Sequence, residues 1–387
     1  MRKVIKAIGA LFGLIFIGGL IFFFGFFVPN TDAKLNPVTP HDPYEISDAA
    51  QALHNTLYIA DLHADSLLWR RNPVKRWRRG QADIPRLREG GVEFQIFSAV
   101  TKSPKGLNFD GNDADAPDDI ALLAKAQLWP LRTWGSIYER AAYQAQRLQK
   151  IEADPAHKLV IARKASDLNQ PEGVLTTLLL TEGAHPLEGK IENIERLFDE
   201  GYRAMGLQHF FDNELGGSKH GRTQAGLSEF GRKAVIEMRR LGIMIDVAHS
   251  SDQTVRDVLA LIPNPIFISH GGTVSHCPKT ANRNLPDDIL KEIAARGGLL
   301  GVGYFDGAIC DPSPHGIAKA IIDAVDLMGP DAVALGSDYD GSVETSLDAS
   351  ELAIITHELM QADMDAPLIR KVMGENARAF FTANLPR

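Results

Sequence analysis

A chain of 387 residues with 44% hydrophobic and 23% charged content can bury a sizeable core and is not of disordered composition. Its net charge of −8 understates the acidity of the body: Arg2, Lys3 and Lys6 are the only charges in residues 1–28, and removing those three positive charges leaves −11 for residues 29–387. Such acidity argues against a nucleic-acid partner, which needs a basic face.

Ala7 to Val28 is an uninterrupted run of 22 residues without a charge. A bilayer core takes about 20 such residues as a helix. A secretory apolar region is usually about 7–15 residues long and ends in a small-x-small cleavage site, whereas this run closes in FFFGFFVPNTDAK. Residues 1–28 therefore read as an uncleaved signal-anchor rather than a cleaved peptide, crossing the membrane through residues 7–28. The basic N-terminus stays in the cytoplasm, which places the rest of the chain outside it, in the periplasm or the extracellular space. Residues 29–46 hold four prolines and read as a linker. Residues 47–387 read as one domain.

Within that domain, apolar runs of strand length recur at 57–62, 94–100, 176–181, 203–208, 243–248, 265–269, 299–304 and 332–337. Stretches of helical period lie between them, such as 228–241 behind Ser228 and 286–296 behind Pro286. Eight continuously apolar strands alternating with helices predict a parallel, closed (β/α)8 TIM barrel. A doubly wound sheet would be expected to carry a glycine-rich turn after its first strand, and none is present. Residues 70–79 hold six Arg/Lys around Trp77 and predict a solvated or ion-paired loop at the mouth. Residues 103–135 predict a long loop or extra helix over the barrel's top; their acidic part fails the calcium-loop template, because Asp115 stands where Gly is required.

Chemistry in such barrels sits at the C-terminal ends of the strands. Those ends carry His63 and Asp65, then Glu182, His209, His249, His270 and Asp338. His63 and Asp65, two apart on a strand, point the same way. A strand-end histidine taken singly is more often a hydrogen-bonded core residue, but four on strands one, four, five and six point to a metal site. His63, Asp65, Glu182, His249 and His270 are five ligands, more than a mononuclear catalytic zinc uses. They suit two Zn²⁺ bridged by Glu182, with hydroxide generated at neutral pH. Templates for zincin, serine-hydrolase and P-loop chemistry are absent. Neither cysteine sits at a strand end, and Cys277 and Cys310 are too few for a disulfide framework, although an oxidising compartment would permit one bridge.

The motifs DLHADSLLW, QADIPRLREGGVEFQIFS, TEGAHPL, GLQHFFDNELG, IDVAHSS, ISHGG, RNLPDDIL, GSDYDG and GENARAFF, in order from about residue 50 to 381, resemble the membrane (renal-type) dipeptidases of the M19 peptidase family. The resemblance implies a metal-dependent hydrolase barrel with two zinc ions that cleaves dipeptides, including some with a C-terminal D-residue. It implies His63 and Asp65 on one zinc, His249 and His270 on the other, and Glu182 bridging. His209 would steady the substrate carbonyl as it becomes an oxyanion, Arg283 would grip the substrate's free carboxylate, and Asp338 would act as general base and acid, or else orient a ligand histidine. Cys277 and Cys310 fall close to a pair bridged in extracellular relatives. The family's substrate-binding tyrosine is not found around Gly307 and Ala308. Family members are often homodimers, although nothing else in the chain signals one. The competing readings are another binuclear-zinc amide or lactone hydrolase of the wider superfamily, and a non-catalytic barrel, which would be expected to have lost ligands.

Overall fold

The computed structural model describes residues 2–387. Nine parallel strands form: β1 (Ile59–Ala64), β2 (Val92–Val100), β3 (Leu159–Ile161), β4 (Leu175–Glu182), β5 (Tyr202–Gly206), β6 (Met244–Asp246), β7 (Phe267–Gly271), β8 (Leu299–Val302) and β9 (Val333–Leu335). Eight of them close a ring in which β2 pairs with β4 and β9 returns to β1 through Asp61 and Leu335. This is the (β/α)8 barrel that the alternation predicts.

The strand not foreseen is β3. It pairs with Leu175–Thr177 at the start of β4, while the later residues Leu179–Thr181 of β4 pair with β5. It therefore fills the foot of the β4–β5 seam, and three residues carry too little periodicity to be recognised in sequence. The first strand also runs later than the predicted 57–62, so His63 lies within the ladder rather than beyond it.

The helices follow local rules. Glu229–Leu241 begins where the Ser228 hydroxyl accepts the Gly231 amide at 2.9 Å and ends at Gly242, whose φ of 76° suits a residue without Cβ. The final helix, Asn376–Asn384, closes the floor. Phe381 packs against Phe94 of β2 at 5.2 Å and Phe267 of β7 at 5.6 Å, strands on opposite sides of the ring. With its foot plugged by aromatic rings, the barrel opens only at the strands' C-terminal ends.

Both excursions behave as the sequence suggests. In 70–79, Arg71 pairs with Asp32 at 2.9 Å and Asp340 at 2.7 Å, and Arg79 with Asp32 at 2.8 Å. The second excursion contains a helix, Asp119–Ala126, and a 3-10 turn, Leu131–Trp134. Cys277 and Cys310 are disulfide-bonded, their Cα atoms 5.8 Å apart.

Residues 29–46 depart from the linker expectation. One continuous helix runs from Arg2 to Leu35, with a π turn at Phe23–Phe27. Its last turns dock on the barrel through Asp32, which is buried between the two arginines, and Val38 then bridges to Thr345. Pro29 stands just past the π turn, where the regular helical hydrogen-bond ladder is already displaced, and the charges needed for docking lie far away in sequence, so composition alone suggests a free tether. The run Val4–Leu35 has a mean hydropathy of 2.6 in its most apolar window and is long enough to cross a membrane.

Candidate metal and substrate site

The structure brings all eight sequence-derived site residues to one place at the open end, each of them buried. Glu182, the last residue of β4, is central. Its Oε1 lies 3.0 Å from His249 Nε2, 3.6 Å from His270 Nε2 and 3.7 Å from His63 Nε2, and its Oε2 is 3.5 Å from His209 Nε2. Asp65 Oδ1 and Asp338 Oδ1 flank His63 Nε2 at 3.5 and 3.9 Å. Three overlapping ligand-range groups result: His63 with Asp65 and Glu182, Glu182 with His209 and His249, and His63 with His270 and Asp338. His209 thus lies within the 3.0–3.7 Å range at which the three candidate ligand histidines approach the central carboxylate.

One hydroxyl sets the tautomers of two of these histidines. Ser269 Oγ lies 2.7 Å from Asp246 Oδ2 and 2.9 Å from both His63 Nδ1 and His270 Nδ1. A serine hydroxyl has one proton to give and two lone pairs. Asp246, whose other oxygen accepts the amides of Ala248 and Ser269, accepts the hydroxyl's hydrogen bond, so both lone pairs of Ser269 Oγ accept N–H from the imidazoles. In their neutral forms His63 and His270 are then protonated on Nδ1 and present bare Nε2 atoms to the site, as metal ligands require. Asp61 performs a parallel task for the backbone, accepting from the amides of His63 and Ser337 and from Gln95 Nε2.

Sequence reasoning missed Ser269, Asp246 and Asp61. The signal available was a polar residue inside an otherwise apolar strand, in IADLH, MIDVAH and FISH, since a buried charge must be paired. Phe109 was missed too. It reaches over from the second excursion until a Cβ on Gly307 would lie 3.0 Å from its ring, and so forms the wall at the place where the expected tyrosine is lacking.

The remaining residues are equally well held. Arg283 donates to the carbonyls of Ala248 at 2.9 Å and His270 at 3.2 Å, the backbone beside two candidate ligands. His209 Nδ1 lies 3.0 Å from the Lys102 carbonyl oxygen and donates to it. Asp338 has a φ of 63°, a left-handed conformation that aspartate tolerates better than most residues, and the turn carries its carboxylate to the mouth.

Crowded buried carboxylates perturb one another. Burial, then Asp65, pushes Asp338 up to about 8 against the pull of His63 and Arg283. Glu182 is likewise raised, by burial and by Asp65. Burial disfavours the His63 cation, but Asp65, Glu182 and Asp338 outweigh it and push it up to about 10. Burial pulls His209 down to about 4. Among these groups His63 Nε2 and Asp65 Oδ1 are buried with no hydrogen-bond partner. Converging nitrogen and oxygen donors with unsatisfied lone pairs fit divalent metal.

A cavity of about 140 Å³ covers this cluster, walled by Leu68, Val100, Leu107, Phe109, Ile120 and Phe305. A larger one, about 630 Å³, opens by Leu57, Val92 and Leu175 at the strands' N-terminal ends, away from every group described above. Size therefore does not locate the chemistry; the convergence of titratable groups does.

The family profile of membrane dipeptidases, peptidase family M19, matches residues 47–383. The chain belongs to that family. As a member, it is a metallopeptidase whose reaction is hydrolysis of the peptide bond of dipeptides. Solved structures share the fold. A dipeptidase AC described as a metallo peptidase of family M19 is 22% identical, with a TM-score of 0.69, covering 86% of this chain and 100% of its own. A metallo peptidase from Rhodobacter sphaeroides, liganded with a phosphinate mimic of the dipeptide L-Ala-D-Ala, is 22% identical with a TM-score of 0.66, covering 85% and 99%. The probable dipeptidase PvdM from Pseudomonas aeruginosa is 19% identical with a TM-score of 0.70, covering 86% and 97%.

Proposed function

We propose that this dipeptidase uses two Zn²⁺ ions, with His63 and Asp65 holding one, His249 and His270 the other, and Glu182 shared. The observation that carries this reading is the position of Glu182, within 3.0–3.7 Å of the Nε2 atoms of four histidines contributed by different strands or strand ends. Five donors exceed what one catalytic zinc takes. Bound there, the ions would supply an activated water at neutral pH and Lewis acidity toward the scissile carbonyl.

The chain's own residues do the rest. Arg283 uses two of its five N–H groups on backbone carbonyls and keeps others for the substrate's carboxylate, which selects peptides short enough to place a free C-terminus beside the scissile bond. Asp338 takes the proton of the attacking water on its carboxylate and delivers it to the leaving amine. His209 faces a condition set by its tautomer. Its Nδ1–H is spent on the Lys102 carbonyl, so Nε2 donates to an oxyanion only as imidazolium, a form that developing negative charge beside it favours. The small apolar cavity suits small side chains, and substrates with a C-terminal D-residue are included, in line with the L-Ala-D-Ala mimic held by the R. sphaeroides relative.

A second reading concerns His209 alone, because it shares a ligand-range group with Glu182 and His249. A His209→Gln variant that retains both metals supports the substrate role, and one that loses a metal makes His209 a ligand.

The same proposal places the catalytic domain on the extracytoplasmic side of a membrane crossed by residues 7–28. A panel of L,L- and L,D-dipeptides, with metal analysis of the same preparation, tests the function. Two zinc ions per chain without turnover of any dipeptide refute the assignment, and a fully active Glu182→Gln variant refutes the site.

A further inference from the structure

We infer that the rim of the active-site mouth rests on the bilayer itself, with leucines of the second excursion in the acyl boundary and the arginine-rich 70–79 loop among the headgroups. The inference builds on the reading of residues 7–28 as a membrane span.

Depth along the helix is the first step. Ala7 to Phe27 at about 1.5 Å per residue covers about 31 Å, the thickness of a hydrocarbon core. Phe27 then lies at its outer edge, and Phe23 one turn inside. Two cavities flank the helix at this level. One, about 540 Å³, is enclosed by Phe23 and Phe27 on one side and Leu107, Ile120, Leu122 and Leu123 on the other. The second, about 440 Å³, lies between Phe24 and Val28 of the helix and Arg70, Trp77 and Arg79. The excursion leucines therefore stand at the depth of Phe27, in or against the membrane boundary. Trp and snorkelling Arg on the other flank are the side chains that settle at the headgroup level.

The surface of the barrel agrees. Among the described residues outside the N-terminal helix, five large apolar side chains are exposed, and four of them belong to this excursion: Leu107 at 44%, Leu122 at 66%, Leu128 at 53% and Leu131 at 75%. The fifth, Ile236, is on a barrel helix. Charge points the same way. A body of −11 is repelled by an anionic leaflet, yet the 70–79 loop has no acidic residue and exposes Arg70, Lys75, Arg76 and Arg78, while Arg71 and Arg79 are paired with Asp32. A second copy of the chain is a poorer occupant, because side chains at the level of Phe27 already face lipid, which is as apolar as leucine.

The consequence is for substrate access. The catalytic cavity and the apolar cavity beside the helix share Leu68, Ser103, Leu107, Ile120 and Ser342 as walls. The mouth of the site thus opens at the membrane surface, and dipeptides reach it through the interfacial layer.

Single cysteines at Leu122, Leu131, Ile236 and Phe16 of the full chain would carry an environment-sensitive fluorophore, the two native cysteines being bonded to each other. The labelled proteins are placed in nanodiscs of phosphatidylcholine and phosphatidylglycerol containing lipid with a quencher near the top of its acyl chain or, for position 16, which lies near mid-membrane, lipid with a quencher at the end of the chain. All four positions are exposed, so the substitutions leave the fold intact. The expected result is loss of most of the fluorescence at 16, 122 and 131, and little loss at 236. Quenching at 16 with none at 122 and 131 beyond that at 236 overturns the inference while leaving the membrane span standing. No quenching at 16 overturns the span reading, and the inference falls with it.

Discussion

Replacing Ser269 by alanine tests the proton arrangement on which the site depends. The hydroxyl contacts Asp246, His63 and His270 at 2.7, 2.9 and 2.9 Å, so one deletion removes three buried hydrogen bonds and leaves two imidazole N–H groups and one carboxylate oxygen short of a partner. Outer partners of ligating histidines are typically worth about 10–100-fold in metal affinity, or about 1.4–2.8 kcal/mol. Because His63 and His270 are assigned to different ions, both ions should weaken by that factor. A residue serving only one histidine would weaken only one. The metal-free protein should also lose about 1–3 kcal/mol of stability, the cost of leaving buried polar groups unsatisfied. Competition with a graded series of chelators measures the two affinities, and denaturant unfolding of the chelated protein measures the stability. Threonine at 269 keeps the hydroxyl and should restore most of the affinity. Metal binding within twofold of the unmodified protein for both ions in the alanine variant would refute the tautomer argument.

Three further outcomes are expected. In the metal-free chain the contribution of Asp338 to stability should fall as pH rises. Its carboxyl is held up to about 8 in the fold against an ordinary 3.8, so that contribution is lost across this window, on the order of 5 kcal/mol in all, while buried histidines such as His209, pulled down to about 4, act in the opposite sense below their ordinary 6.5. The difference in unfolding free energy between chelated unmodified and Asp338→Asn protein at pH ~5 and ~8 isolates the Asp338 part; a difference that is the same at the two values contradicts it. Arg283→Met should cost about 2–5 kcal/mol in kcat/KM for dipeptides, and far less for substrates with an amidated C-terminus, as expected when one charge of a buried pair is removed. Equal losses on both substrates would show that Arg283 does not bind the carboxylate. Finally, the bond between Cys277 and Cys310 closes a loop of 33 residues, worth about 4 kcal/mol on chain-entropy grounds. The double alanine variant should show a correspondingly lower unfolding midpoint in urea, and an unchanged midpoint would mean that the loop is held by its packing alone.

Much of the molecule was legible in the chain because it is written locally. Eight apolar runs with intervening helical periods specify a closed parallel barrel, since strands buried on both faces have no other common solution. Polar residues at the ends of those runs specify the site, because a barrel sends every strand's C-terminal end to one mouth. His63, Asp65, Glu182, His209, His249, His270 and Asp338 could therefore be gathered from positions as much as 275 residues apart. Arg283, which ends no strand, came only from the likeness of RNLPDD to a family motif.

Tertiary structure decided what depends on contacts between distant segments. The sharing of Ser269 between His63 and His270 requires two strands to meet, and neither strand's pattern records it. The same holds for β3, too short to announce itself, and for Phe109, which closes over Gly307 from an excursion more than 190 residues earlier. The N-terminal segment shows the division most clearly. By itself the sequence determined an apolar run long enough to cross a bilayer, because length and the absence of charge suffice for that. Only the fold decided that the helix continues to Leu35 and docks beside the mouth, because the docking rests on Asp32 meeting Arg71 and Arg79, and a buried carboxylate finds its counter-charges in space rather than in sequence.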